Sequence, residues 1–192
     1  MLQDGFFEPA SWAEVRWGDL PHWRQDGALY FVTFRLADSL PQGLLSRWRK
    51  ERDDWRRLHP NPDKEELEEF SRRHRGTLER WLDRGIGSCL LESSHAKRIM
   101  EEELRSGEGV RYELGELAIA ANHVHANVRT FSGIDLSDVL RIWKGRSARR
   151  ILAFHGDADL RCRKLWQRES FDHIVRNQAS LDRFTRYIKN HR

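Results

Sequence analysis

Ala28-Leu29-Tyr30-Phe31-Val32-Thr33-Phe34-Arg35-Leu36 is the most strand-like run in the chain. Aromatic and β-branched side chains fill it, Gly27 bounds one end, and Asp38 to Pro41 bounds the other, as expected for a sheet strand closed by turns. A polar lead-in precedes it. After it, Gly43 to Leu58 reads as a helix, with Leu44, Leu45, Trp48, Trp55 and Leu58 forming an apolar stripe amid charge. Pro60-Asn61-Pro62 breaks that helix, and Asp63 caps a second one running to about Asp83. A third helix runs from Ser94 through Leu104. Val110 to Leu114 and Glu116 to Thr130 read as two strands, the second interrupted or extended around His123-Val124-His125. Leu136 to Phe154 is helical, Trp166 to Val175 is extended, and a terminal helix starting at Asn177 or Ser180 runs through Tyr187. The order of elements does not alternate strictly, so the expected fold class is α+β, an antiparallel sheet covered by helices.

The 192 residues suit one domain, residues 1–192, with a helical insertion at about 42–86. Hydrophobic content of 39% and charged content of 33% are those of a globular protein. No run approaches the ~20 apolar residues that span a bilayer, so no membrane partner is expected. Met1 to Ala10 carries acids and no basic region, which argues against a secretory signal. Cys89 and Cys162 make neither a disulfide framework nor a zinc spacing, and a reducing, cytoplasmic location is expected. Charge is unevenly spread. Residues 141–192 hold 14 Lys/Arg against five Asp/Glu, while residues 1–140 hold 20 against 25. A basic C-terminal third is the footprint of a phosphate-rich partner, or else a set of solvated helix faces.

Asn122-His123-Val124-His125 carries the chemistry. On a strand, a His-Val-His step puts both imidazoles on one face, where they can offer two nitrogens to one metal ion. With nine histidines in the chain, such a step also arises by chance, and two strand histidines satisfied by neighbours are the plainer reading. Tyr187 and His191 are four apart on the terminal helix and share its face. Tyr187 lies among Arg183, Arg186 and Lys189, whereas Tyr30 and Tyr112 sit in hydrophobic runs. Tyr187 also fits as an ordinary packed aromatic beside Leu181, Phe184 and Ile188. Two histidines, a third candidate ligand and a tyrosine nucleophile form a set that cuts a phosphodiester by way of a phosphotyrosine.

Several ordered stretches together resemble the REP-associated tyrosine transposases, within the single-tyrosine HUH (His-hydrophobic-His) endonucleases of bacterial insertion sequences. They are His22-Trp23-Arg24-Gln25, Tyr30 through Pro41, Asn122 through His125, Trp143-Lys144, Trp166 through Asn177, and Arg186-Tyr187-Ile188. The resemblance implies a ferredoxin-like antiparallel sheet with helices packed on it, the HUH endonuclease fold. It implies a catalytic Tyr187, metal ligation by His123, His125 and His191, and Mg²⁺ or Mn²⁺ as cofactor. It further implies hairpins of single-stranded DNA (REP-like) as partners of a monomer or homodimer, in a bacterial, nucleoid-associated setting. Arg176 and Arg186 are placed to favour the phenolate of Tyr187. DNA would be held by Lys144, Arg146, Arg149 and Arg150 on one helix and by Arg163, Lys164, Arg168 and Arg176 around the last strand, with His173 contacting phosphate or holding the loop. Trp143 and Trp166 either stack bases or pack in the core. Asn122 orients a ligand or the strand, or caps a turn. Two departures stand out. Ala120-Ala121 replaces the usual Met-Pro, and the sequence stops at Arg192, where the family continues. A homologue that binds structured single-stranded DNA without cutting is therefore the alternative reading.

Overall fold

The computed structural model describes residues 2, 4–18, 21–155 and 164–191. An antiparallel hairpin comes first, made of β1 (Glu14–Trp17) and β2 (Pro21–Arg24), with Val15 opposite Trp23. β3 (Leu29–Arg35) follows and is buried along its whole length. Two helices come next, α1 (Gln42–Leu58) and α2 (Lys64–Leu82). Asp63 starts α2 through a capping box, its carboxylate accepting from the Glu66 amide while Glu66 accepts from the Asp63 amide. Then come α3 (Ser94–Arg105), β4 (Tyr112–Ile119), β5 (His123–Thr130), α4 (Leu136–His155), β6 (Phe171–Ile174) and α5 (Gln178–Lys189).

The main sheet has the order β4-β5-β3-β6 with every pairing antiparallel. Counting only β3, α3, β4, β5, α4 and β6, this is the ferredoxin-like βαββαβ arrangement, and α1 and α2 stand as an addition between its first strand and first helix. β3 is buried on both faces because both are covered. Tyr30, Val32 and Phe34 join Val124, Ala126 and Val128 against Ile99, Met100 and Leu104 of α3 and Val139 and Trp143 of α4. On the other face, Leu29 and Phe31 meet Phe184 and Ile188 of α5, Trp48 of α1 and Phe70 of α2. The Phe31 and Phe184 rings stack at 4.6 Å and 3°, pinning α5 to the centre of the sheet. Full burial of such a side chain contributes about 1.5–3 kcal/mol. Among the described residues, no helix is long and apolar enough to cross a membrane.

Three differences from the sequence reading have physical reasons. The β1–β2 hairpin was hidden in the polar lead-in, because its four-residue strands are held by distant partners: Trp23 meets the Phe7 ring edge-on at 5.9 Å, and Arg24 bonds Asp172. The break between β4 and β5 falls at residues 120–122, with a register shift between Leu114 and Leu117. Gly115 lies at that shift, where an added Cβ would sit 2.6 Å from the Leu2 side chain and 3.1 Å from Asn127. Finally, the expected extended stretch 166–175 is a ladder only over Phe171–Ile174, with Trp166 making an isolated bridge to Leu36.

Candidate active site

Strand alternation aims His123, His125 and Asn127 of β5 at the face covered by α5, with His123 opposite Arg35 and His125 opposite Thr33 on β3. Both histidines are buried, and their rings lie 4.5 Å apart. The hydrogen bonds around Asn122 set the tautomer of His123. Asn122 Nδ2 donates to the carbonyls of Ile86 at 3.0 Å and Leu82 at 3.4 Å, so its Oδ1 is the atom facing His123 Nδ1 at 2.7 Å. That oxygen only accepts, so Nδ1 carries the hydrogen and Nε2 keeps a lone pair. Asn122 thus orients a neighbouring ring. His125 Nδ1 is 2.8 Å from Thr33 Oγ1. The Nε2 atoms of both histidines are buried with no hydrogen-bond partner among the described residues. Burial, then the neighbouring His191, pushes His123 down to about 4, and burial with both neighbouring histidines holds His125 well below the usual range. Two neutral imidazoles, each fixed through one nitrogen and bare at the other among the described residues, are donors of the kind a metal ion takes. The residues present fit a divalent cation.

Tyr187 lies on α5 with its ring edge-on to His125 at 5.1 Å and to Phe31 at 5.9 Å. The other two tyrosines have structural tasks. Tyr30 is buried and its hydroxyl donates to the Gln25 carbonyl at 3.0 Å, and burial pushes it up to about 12. Tyr112 donates to the Leu104 carbonyl at 2.7 Å and accepts from Trp143 Nε1 at 2.8 Å. His191 sits one turn beyond Tyr187, its ring 5.1 Å from His125 and 6.2 Å from His123. Its Nδ1 donates to the Tyr187 carbonyl at 2.8 Å, and its Nε2 is 3.1 Å from Asp83 Oδ1. Among the described residues, no three His, Cys, Asp or Glu side chains converge as a complete ligand set. His191 therefore stands beside the pair with its free-facing nitrogen turned to Asp83.

The basic residues do not form one surface. Lys144 and Arg168 line a cleft of about 460 Å³ together with Arg16, His22, Arg24 and Arg141. Lys144 Nζ donates to the Arg168 carbonyl at 2.7 Å and to Ser170 Oγ at 3.1 Å, and burial pushes it down to about 8. Arg146 and Arg149 line a second cleft of about 460 Å³ with Arg111. Arg150 is turned to Glu102 and Glu103 of α3. Arg176 pairs with Glu68 and lies over the Phe7 ring at 4.7 Å. Lys164 is exposed, His173 meets Phe184 edge-on at 5.2 Å, and Arg163 falls outside the described residues. Trp143 and Trp166 are both buried, bonded to Tyr112 and Ser147. Both belong to the core, and neither offers a face to a base.

A buried charged cluster had no assigned role in the sequence reading. Asp172 accepts from both terminal nitrogens of Arg24, at 2.8 and 2.9 Å, and from His22 Nδ1 at 2.7 Å. The spacing His22-Trp23-Arg24 on a strand signalled two polar side chains on one face; Asp172, 150 residues away from His22, could not be matched to them. Burial favours neutral His22 and protonated Asp172, yet their mutual attraction prevails. Asp172, with Glu169, holds His22 up at about 9 against the repulsion of Arg24, and His22 and Arg24 together hold Asp172 down at about 2. The unfolded histidine titrates near 6.5, so between pH 6.5 and 9 the folded chain binds the extra proton. Stability from His22 is then full below pH 6.5 and lost as pH rises through about 9. Urea unfolding midpoints are expected to fall over that window, by on the order of 2–3 kcal/mol in unfolding free energy. A flat profile between pH 6.5 and 9 would contradict the geometry.

Residues 90–191 match the family described as Transposase IS200 like. That segment carries both histidines of the pair and Tyr187, and the chain belongs to the IS200-like transposase family. Among curated proteins no relative is detected. A REP-associated tyrosine transposase bound to a REP hairpin is similar at 13% identity with a TM-score of 0.45, covering 85% of this chain and 66% of its own, just under two thirds of that length. A proposed transposase from Deinococcus radiodurans R1 is similar at 13% identity with a TM-score of 0.40, covering 99% and 98% of the two chains.

Proposed function

We propose that the protein cleaves and rejoins single-stranded DNA at REP-like hairpins through a 5′-phosphotyrosine on Tyr187. The observation that carries this is the meeting of Tyr187 with His125, ring to ring at 5.1 Å, beside two buried imidazole nitrogens with no hydrogen-bond partner among the described residues. The Tyr187 phenolic oxygen attacks the phosphorus, the bond to the 3′-oxygen breaks, the phenolic proton passes to water, and the leaving 3′-oxygen takes up a proton. The phosphodiester energy is kept in the protein–DNA bond, and attack by another 3′-hydroxyl reverses the step. His123 and His125, with His191 as the adjacent third donor, would hold Mg²⁺ or Mn²⁺. When bound, that ion supplies positive charge against the crowded phosphate oxygens. Asn122 and Thr33 keep the two rings turned for that task. The clefts along α4, lined by Lys144, Arg168, Arg146 and Arg149, are the proposed seats for the hairpin's phosphates.

A labelled hairpin oligonucleotide with a single-stranded flank, run on a denaturing gel with the purified protein, tests this. A slow-migrating covalent adduct is expected with Mn²⁺, falling at least about 100-fold on chelation. The three-donor set is left incomplete by the His191–Asp83 contact, which favours a second reading, a hairpin-binding protein that does not cut. Tight binding of the hairpin with no adduct in either Mg²⁺ or Mn²⁺ would establish that reading and reject the first.

A further inference from the structure

Asp83 closes α2 as its C-cap, in right-handed helical backbone. A carboxylate there faces the negative end of the helix dipole, a place that favours cations, so the stability of α2 does not account for it. What it does contact is 108 residues away: its Oδ1 lies 3.1 Å from His191 Nε2. Because His191 Nδ1 is spent on the Tyr187 carbonyl, Nε2 is the only nitrogen through which that ring can be steered, and Asp83 holds it. The neighbouring carbonyls of Leu82 and Ile86 hold Asn122, which fixes the tautomer of His123. The turn that presents them is tightly built. Gly85 and Gly87 adopt φ of +62° and +103°, and a Cβ at Gly87 would sit 2.7 Å from the Asp38 carbonyl oxygen. The Ser88 amide donates to the Asp38 side chain at 2.8 Å. The end of α2 therefore touches the candidate site twice, through Asp83 to His191 and through Asn122 to His123. All of it precedes residue 90, where the family match begins.

We propose that Asp83 is a positioning residue of the active site, delivered by the added α1–α2 pair to fix the His191 ring in the last turn of the Tyr187 helix. The proposal rests on the reading of Tyr187 and the histidines as the catalytic site. It gives the added helices a catalytic purpose: they brace a helix end whose final carbonyls lack intrahelical partners. The Asp83 side chain is 41% exposed, so removing it leaves the fold in place.

The first measurement is a long-range ¹H–¹⁵N correlation spectrum of the histidine rings in the metal-free protein. Asp83→Ala should move the His191 ring nitrogens and leave those of His22 where they are, with Asp83→Glu falling between the variant and wild type. The second is Mn²⁺ affinity by electron paramagnetic resonance. Because Asp83 holds the one nitrogen of His191 not spent on the Tyr187 carbonyl, Asp83→Ala should free it and strengthen binding several-fold. Asp83→Ala combined with His191→Ala should bind no more tightly than His191→Ala alone, since Asp83 acts through that ring. An unmoved His191 signal, weaker Mn²⁺ binding in Asp83→Ala, or a gain that survives in the double variant would overturn the proposal. Wild-type protein that binds no Mn²⁺ would reject the metal site itself, and the metal-free ring spectra would still decide the role of Asp83.

Discussion

Tyr187→Phe is expected to abolish the covalent protein–DNA adduct, slowing its formation at least about 10³-fold, while hairpin affinity changes by less than about twofold. The substitution removes one oxygen and keeps the ring, so the edge-on contacts to His125 at 5.1 Å and Phe31 at 5.9 Å survive. Helix α5 is held mainly by Leu181, Phe184 and Ile188, and unfolding free energy should shift by no more than about 1 kcal/mol. No other tyrosine can stand in. Tyr30 is buried with its hydroxyl on the Gln25 carbonyl, and the Tyr112 hydroxyl is shared between the Leu104 carbonyl and Trp143. Quantifying adduct and free hairpin in the same reactions separates chemistry from binding. An adduct that persists in Tyr187→Phe would move the nucleophile to another side chain. Loss of hairpin binding along with the adduct would show that the phenol serves recognition.

The pairs that define this site differ in how far they can be read without coordinates. Helical and strand periodicities act over a few residues, so they suffice to put His123 with His125 and Tyr187 with His191. The same local rules find β3, α2 with its Asp63 cap, and the terminal helix. They do not reach Asn122, whose amide is oriented by carbonyls 36 and 40 residues earlier, nor Asp83, whose partner is 108 residues later. Trp143 shows a different limit. A tryptophan beside Lys144 on a basic helix reads as a base platform or as core, because periodicity names a face and not what covers it. The ring turns toward Tyr112 and Phe34, and burial decides the matter. The basic residues show the same limit: Arg150 and Arg176 count toward the charge of the C-terminal third, yet they are paired with Glu102, Glu103 and Glu68 from earlier elements.

Asp172→Leu should be the most damaging single change to stability outside the apolar core. It leaves the Arg24 guanidinium, with a side chain only 11% exposed, charged in a place that offers little water, and strips His22, 12% exposed, of the carboxylate that keeps it protonated. Breaking a buried pair from one side costs about 3–5 kcal/mol. For a chain of this length that corresponds to a fall in melting temperature of roughly 6–20 °C. Pairing the change with Arg24→Met should recover a large part of the loss, because apolar replacement of both partners leaves no stranded guanidinium. The cluster also joins the β1–β2 hairpin to β6, an edge strand of four residues. β6 leads directly into Asn177, whose side chain accepts from the Ser180 amide to start α5. A loosened β6 therefore displaces the start of the helix that carries Tyr187, and adduct formation should fall together with stability in Asp172→Leu. Thermal unfolding and the adduct assay on Asp172→Leu and on the double variant are the measurements. A single variant within about 1 kcal/mol of wild type, or a double variant no more stable than the single, would show that water reaches the cluster and that the pair does not bind the hairpin to the sheet.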